Sequence, residues 1–369
     1  MKDKKPFDFL LFATILVLLS LGLVMVFSAS APAAEKYQND IYYFIKKQLG
    51  FAAIGMIAML FAANYDYHKY GRKTVLLLMG TAILSMVAVL IPGIGREING
   101  SRRWIYFGSI PFQPSEYTKL AIIIFFSYFL SKRKKPLKSF ITDLMPYLFV
   151  VGVISLLLLL EPHLSATIIM ISLAMIILFA AGARIRHFVY LVAPVAALLV
   201  AVVSFTDYMT TRINTWLNPW LDPQGDGYQT IQSLYAIGSG GLFGRGLGQS
   251  MQKFLYVPEP QNDYIFSILA EELGFVGVAA VLLLFMIFIW RGIKIAVHAP
   301  DTYGSLIATG ITVLIAVQSL FNVAVVTNSI PPTGVSLPFF SSGGSSLVFF
   351  MVEAGILLNV SRYSNYERI

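Results

Sequence analysis

Residues 273–290 read LGFVGVAAVLLLFMIFIW, a run without a single charge. As a helix rising ~1.5 Å per residue it spans ~27 Å, close to the ~30 Å hydrocarbon core of a bilayer. Runs of this kind recur along the whole 369-residue chain. A soluble core cannot absorb so many uninterrupted apolar segments, so the sequence specifies an all-α polytopic membrane protein. Composition agrees: 57% of residues are hydrophobic and 12% charged, about half the charge of a soluble domain.

Ten spans are predicted, at about 7–29, 44–63, 74–92, 117–131, 141–160, 165–182, 188–206, 264–290, 305–328 and 344–360. The opening MKDKK has no small-residue cleavage site downstream, so the first span is expected to be retained rather than removed as a signal peptide. Most Lys and Arg fall in the segments 1–6, 64–73, 132–140, 183–187, 291–304 and 361–369. Positive charge marks the cytoplasmic side, which puts both termini in the cytoplasm. The formal charge of +8 is then membrane anchoring, and no nucleic-acid partner is expected. No repeat or linker divides the chain, so residues 1–369 form one membrane domain.

The opposite, outer side carries a large loop, 207–263, between the seventh and eighth helices, and the segment 93–116. Loops this long on a scaffold of short connections usually serve function. The glycine-rich stretch 238–250 lacks a Walker lysine and follows no predicted strand, which argues against a nucleotide loop. PPTGVSLPFFSSGGSS (331–346) reads as a re-entrant segment, which needs a protein-lined cavity. The chain has no cysteine, hence no disulfide or thiolate metal site. Its four histidines are scattered, so no metal cluster is expected.

VPEPQNDYIFSILAEE (257–272) holds the most informative acids. Glu271 and Glu272 are placed at the outer hydrocarbon boundary, with Asp263 roughly 12–15 Å above them. Asp before a helix is a favoured N-cap. Shielded by Tyr264, Ile265 and Phe266, it would instead have a raised pKa and serve as a base. Glu116 and Lys119 share a helix face at the outer end of a span, where ionisable residues are costly and usually paired; a structural pair and a functional one both fit. Arg102, Arg103, Arg212, Arg245 and Lys253 add outer cations. Each alone reads as a solvated charge; together they suit a diphosphate, which Arg binds through paired donors.

Three stretches then converge: NGSRRWIYFGSIPFQPSEYTKLA, the run LNPWLDPQGDGYQTIQSLYAIGSGGLFGRGLGQS continuing to PEPQNDYIFSILAEELGFVG, and NVAVVTNSIPPTGVSLPFFSSGGSSL. Together they strongly resemble the SEDS family (FtsW, RodA, SpoVE) over nearly the whole chain, with NGSRRWI and PEPQNDYIF leaning to the FtsW/SpoVE branch. The resemblance implies a ten-helix peptidoglycan glycosyltransferase that polymerises lipid II at the outer face of a bacterial cytoplasmic membrane, for division or sporulation. It places the essential acid on Asp263, the fourth-helix Glu and Lys on Glu116 and Lys119, and the loop arginine on Arg212. It also implies a class B penicillin-binding protein and other divisome membrane proteins as partners. Where relatives commonly carry QPDLGT, this chain reads EPHLSA (161–166), with His163 in place of the acid and Glu161 two residues earlier. A divalent cation (Mg or Mn) could assist, although no dedicated ligand set is visible. A lipid II flippase and a non-catalytic transpeptidase scaffold remain as alternatives.

Overall fold

The computed structural model describes residues 5–98, 100–108, 110–134, 137–191 and 207–364. Eleven helices are named here: α1 Phe9–Gln38, α2 Tyr43–Asn64, α3 Arg72–Leu90, α4 Pro114–Ser131, α5 Met145–Leu160, α6 Leu164–Ala180, α7 Asp207–Leu217, α8 Tyr228–Gly240, α9 Ile265–Val297, α10 Thr302–Val326 and α11 Ser345–Tyr363. Seven spans among the described residues are long and apolar enough to cross a membrane: α1, α2, α3, α5 with the π-turn before it, α9, α10 and α11. α6 is a shorter apolar helix, and α4 opens on the charged pair Glu116 and Lys119. Most of the predicted seventh span, 192–206, lies outside the described residues.

Helix ends follow backbone satisfaction rather than hydropathy. α1 runs past the apolar stretch and stops only where Asn39 adopts the left-handed conformation, φ 51°, returning its N–H to Glu35, a common C-terminal stop. α9 likewise continues beyond Trp290 because Arg291 is not in water. Its guanidinium is fully buried against Asp8, with Nε donating to Oδ2 at 2.9 Å. Asp8 also caps α1 through Leu11 N–H and donates its own N–H to Ser361 Oγ at 3.0 Å. The two chain ends therefore meet at one end of the bundle, as the charge pattern requires.

The segment 93–113, expected as loop, is instead a three-stranded antiparallel sheet: β1 Gly95–Ile98, β2 Ser101–Phe107, β3 Ile110–Phe112. Ile105 pairs with both Gly95 and Phe112. Gly100 and Gly108 take φ 73° and 63° in the two connections, a conformation open to glycine at no steric cost.

The element with most consequence is a break in α9. Gly274 has φ 65° and ψ −168°, which removes the helical hydrogen bonds that would join Phe275 and Val276 N–H to the carbonyls of Glu271 and Glu272. All four groups are repaired by the glycine-rich loop. Arg245 and Gly246 N–H donate to the carbonyls of Glu271 and Glu272, both at 2.9 Å, and Phe275 and Val276 N–H donate to Gly241 and Leu242 at 2.9 and 3.0 Å. The glycines of 238–250 thus provide close backbone approach. A Cβ on Gly244 would lie 2.1 Å from Glu272 O, and one on Gly274 2.2 Å from Gly244 N. Gly274→Ala should therefore destabilise the protein by at least ~1–3 kcal/mol, the usual cost of a forced left-handed residue, read as a lowered melting temperature of the purified protein. Wild-type melting of that variant would mean the break is not needed.

Candidate active site

Segment 331–337 enters the helical bundle in extended form, and at that depth each exposed carbonyl needs a partner. Four side chains from three other elements supply them. Arg212 on α7 donates to Pro332 O, Ser165 on α6 to Gly334 O at 3.4 Å, Asn322 on α10 to Val335 O at 2.7 Å, and Gln318 on α10 to Ser336 O at 3.2 Å. The segment is a spine on which the polar residues are hung.

Asp263 sits beside this spine. The N-cap of α9 is Tyr264, and no side-chain bond caps the helix, so Asp263 does not do the capping its position suggests. Its backbone is clamped, because the Asn322 amide that holds Val335 also donates to Asp263 O at 2.7 Å. Its carboxylate faces Gly334, where a Cβ would approach Oδ2 to 2.7 Å. Burial, reinforced by the charge of Glu259, raises the Asp263 pKa to about 6 against the opposing pull of Arg103 and Arg212. The group is a carboxylate at neutral pH with a basicity well above that of an ordinary aspartate.

Below the spine, Lys119 Nζ contacts Glu116 Oε1 at 2.7 Å and donates to Gln318 Oε1 at 2.8 Å. Lys119 is thereby tied through Gln318 to Ser336. Behind Asp263, at the turn between α5 and α6, Arg103 donates to the carbonyls of Glu161 and Pro162. Glu161 is 1% exposed; burial pushes its pKa up to about 8, opposed by Arg103. Burial and the charges of Arg103 and Lys119 hold His163 well below the ordinary imidazole range.

The structure thus gathers Asp263, Arg103, Arg212, Glu116 and Lys119, and turns other expected residues elsewhere. Arg102 alternates with Arg103 across β2 and bonds Glu97 at 3.1 and 3.2 Å. Lys253, expected on the diphosphate, is buried on Glu272 at 2.9 Å and Ser28 Oγ at 3.0 Å. Glu272 also accepts from Ser28 Oγ at 2.7 Å, and Glu271 accepts from Ser250 Oγ, Met251 N–H and Gln252 N–H. These two acids anchor the outer loop, with Arg245 3.7 Å from Glu271. Sequence reading missed Gln318, Asn322, Ser165 and Gly334. The available signal was Gln318 and Asn322, four apart on one face of an otherwise apolar helix. Among the described residues no three His, Cys, Asp or Glu side chains converge to hold a metal ion.

A shielded carboxylate with two arginines acting on it, at the end of an apolar helical bundle opposite its termini, defines a polytopic membrane protein with a cluster of polar residues at one end of the bundle. The sequence profile of the FtsW/RodA/SpoVE cell cycle proteins matches residues 8–366. Stage V sporulation protein E of Bacillus subtilis (strain 168) is 50% identical over 359 residues, covering 97% of this chain and 98% of that protein. A probable peptidoglycan glycosyltransferase FtsW of Trichlorobacter lovleyi is 41% identical, with 97% and 95% covered. Among solved structures, Thermus thermophilus RodA superposes with a TM-score of 0.72 at 25% identity, covering 98% of each chain. A chain from a peptidoglycan synthase complex, described as coordinating polymerization and crosslinking, reaches 0.80 at 27% identity, with 97% of this chain and 99% of that one covered. The chain belongs to the FtsW/RodA/SpoVE family.

The pair on α4 gives a direct test of the cluster. Removing one partner leaves a buried charge, so Glu116→Gln and Lys119→Met should each lower stability by about 3–5 kcal/mol. Reversing the pair (Glu116→Lys with Lys119→Glu) should recover only part of this. Gln318 must then flip its amide to donate to the new carboxylate, and Ser336 O loses its donor. Melting temperatures of the three variants check the order; single variants as stable as wild type would remove the pair from the framework of the site.

Proposed function

We propose that this protein is a peptidoglycan glycosyltransferase that polymerises lipid II at the outer face of the bacterial cytoplasmic membrane. The observation that carries the reading is Asp263: partly buried, with its pKa raised to about 6, beside Arg103 and Arg212, and not used as a helix cap. The names of the relatives supply the reaction class. The lysine- and arginine-rich end that holds the termini is assigned to the cytoplasm, which puts the Asp263 cluster on the outer side.

Chemically, Asp263 takes the proton from the acceptor sugar hydroxyl as that oxygen bonds to the anomeric carbon of the donor. The bond from that carbon to the diphosphate breaks, and the undecaprenyl diphosphate leaves with the electron pair. Arg103 and Arg212 lie where they can hold the charge that develops on it. A diphosphate needs no protonation to depart, so one carboxylate suffices, in contrast to hydrolases that flank the bond with two. Lys119 reaches the spine through Gln318 and contributes positive charge from below. No step is routed through a metal ion.

The same reading includes a crosslinking partner, a class B penicillin-binding protein, and through it the other divisome membrane proteins. Val276, Leu283, Met286, Trp290, Ile293 and Val297 are all exposed along α9. This stripe has the 3.5-residue spacing that fits one further transmembrane helix. Leu283→Arg should therefore reduce co-purification with the partner at least several-fold while polymerisation by the isolated chain persists; undiminished co-purification would move the interface elsewhere.

Asp263→Asn tests the base. Because Asp263 caps nothing and its charged form is disfavoured by the fold, the variant should melt no lower than wild type above pH 6. Glycan formation from purified lipid II should fall by a factor of about 10²–10⁴. Wild-type activity should itself decline as pH drops through about 6, when the carboxylate takes up its proton. Normal polymerisation by folded Asp263→Asn ends the assignment. Lipid II movement without polymer would favour a flippase, and neither activity would favour a scaffold.

A further inference from the structure

Glu161 is a buried polar group beside Arg103 that this reaction leaves unused. Both carboxyl oxygens are buried and without a hydrogen-bond partner, and the neighbouring His163 Nδ1 is in the same condition. Such groups are rare in folded proteins and call for an explanation. Among the described residues the cation acting on Glu161 is Arg103, whose guanidinium already spans the carbonyls of Glu161 and Pro162. Arg103 also acts on Asp263. One guanidinium is therefore shared between a carboxyl behind it and a carboxylate in front of it.

We infer that Glu161 is a positioning residue for the proposed reaction, keeping Arg103 directed at Asp263 and the substrate diphosphate only while its own carboxyl is protonated. This inference rests on the glycosyltransferase reading. The groups facing it are Arg103 from β2, His163 from the start of α6 and, beyond His163, Lys119 from α4, with Asp263 and Arg212 across Arg103. His163 is held neutral at physiological pH, so it adds no cation. A protonated Glu161 leaves the charge of Arg103 to the front of the cluster. An ionised Glu161, with no other donor, draws the guanidinium back into a buried pair and away from the diphosphate.

The predicted signature is an alkaline limb separate from the acid limb of Asp263. Since burial raises the Glu161 pKa to about 8, wild-type polymerisation should fall roughly tenfold between pH 7 and pH 9, completing a bell-shaped profile. Glu161→Gln mimics the protonated form and cannot ionise, so its pH 9 to pH 7 ratio should stay within about twofold of one. Glu161→Asp still titrates and should keep a limb. A readout independent of activity is the melting temperature. A carboxyl whose folded pKa lies above its ordinary 4.5 loses stability as pH rises from about 4.5 to about 8, so wild type should fall relative to Glu161→Gln across that window. Polymerisation profiles of wild type and Glu161→Gln that superimpose overturn the inference, as does a folded Glu161→Gln inactive at every pH. Absence of polymer from wild type at every pH overturns the functional reading as well, so the two failures are distinguishable.

Discussion

A polypeptide inside a bilayer cannot leave backbone groups unpaired, and this chain breaks a membrane helix at Gly274. Much of the outer architecture follows from repairing that break. Four orphaned groups on α9 require four partners at backbone distance, and the loop 241–246 supplies them by coming close enough that side chains at Gly244 and Gly274 are excluded. Once that loop is fixed, the residues after it are fixed too. Ser250, Met251, Gln252 and Lys253 lie over Glu271 and Glu272, and the two acids are neutralised by hydrogen bonds and one buried lysine. The first turns of α9 are thus held by the loop on one side and by Ser28 of α1 on the other. Asp263 stands at the end of this braced half-helix.

The same constraint builds the other side of the cluster. Segment 331–337 has no secondary structure to satisfy it, so Arg212, Ser165, Asn322 and Gln318 do so individually. Two of these connections also reach chemistry: Asn322 fixes the Asp263 backbone and Gln318 holds Lys119. Groups that satisfy backbone therefore also position the site, and a mutation in either role disturbs both.

How far this was readable in the sequence differed by kind of interaction. Hydropathy gave the membrane-spanning helices of the described residues, because a span of apolar residues has one stable conformation in lipid. It missed α7 and α8, polar helices inside the expected loop 207–263. The small sheet was passed over although NGS stands between REI and RRWIYF, the dipeptide most typical of a tight hairpin; hydropathy does not register it. Arg102 and Arg103 were grouped as one anion site, yet on a strand neighbours point to opposite faces; Arg102 bonds Glu97, while Arg103 bonds the carbonyls of Glu161 and Pro162 and acts on Asp263. Lys253 was assigned to substrate for its charge, while its partner Glu272 became evident only when the broken helix and its repairing loop were seen together. The purpose of the glycine-rich run depended on a break at Gly274 that no local pattern announced. Asp263 and the Glu116–Lys119 pair were legible because charge near a hydrocarbon boundary is costly wherever its partner lies.

The cluster's electrostatics explain why so few charged groups can serve a reaction at a membrane surface. A carboxylate that is too well paired loses basicity, and one that is unpaired and fully buried does not ionise at neutral pH. Asp263 lies between these limits because burial and Glu259 act against Arg103 and Arg212. An arginine keeps its charge available only if it is not consumed by a carboxylate, and the structure limits that loss. Glu97 takes Arg102, backbone carbonyls accept from Arg212 and Arg103, and the carboxyl of Glu161 is buried where its charged form is disfavoured. Carbonyls hold a guanidinium in place without cancelling its charge, so a cation fixed in this way keeps its pull on Asp263.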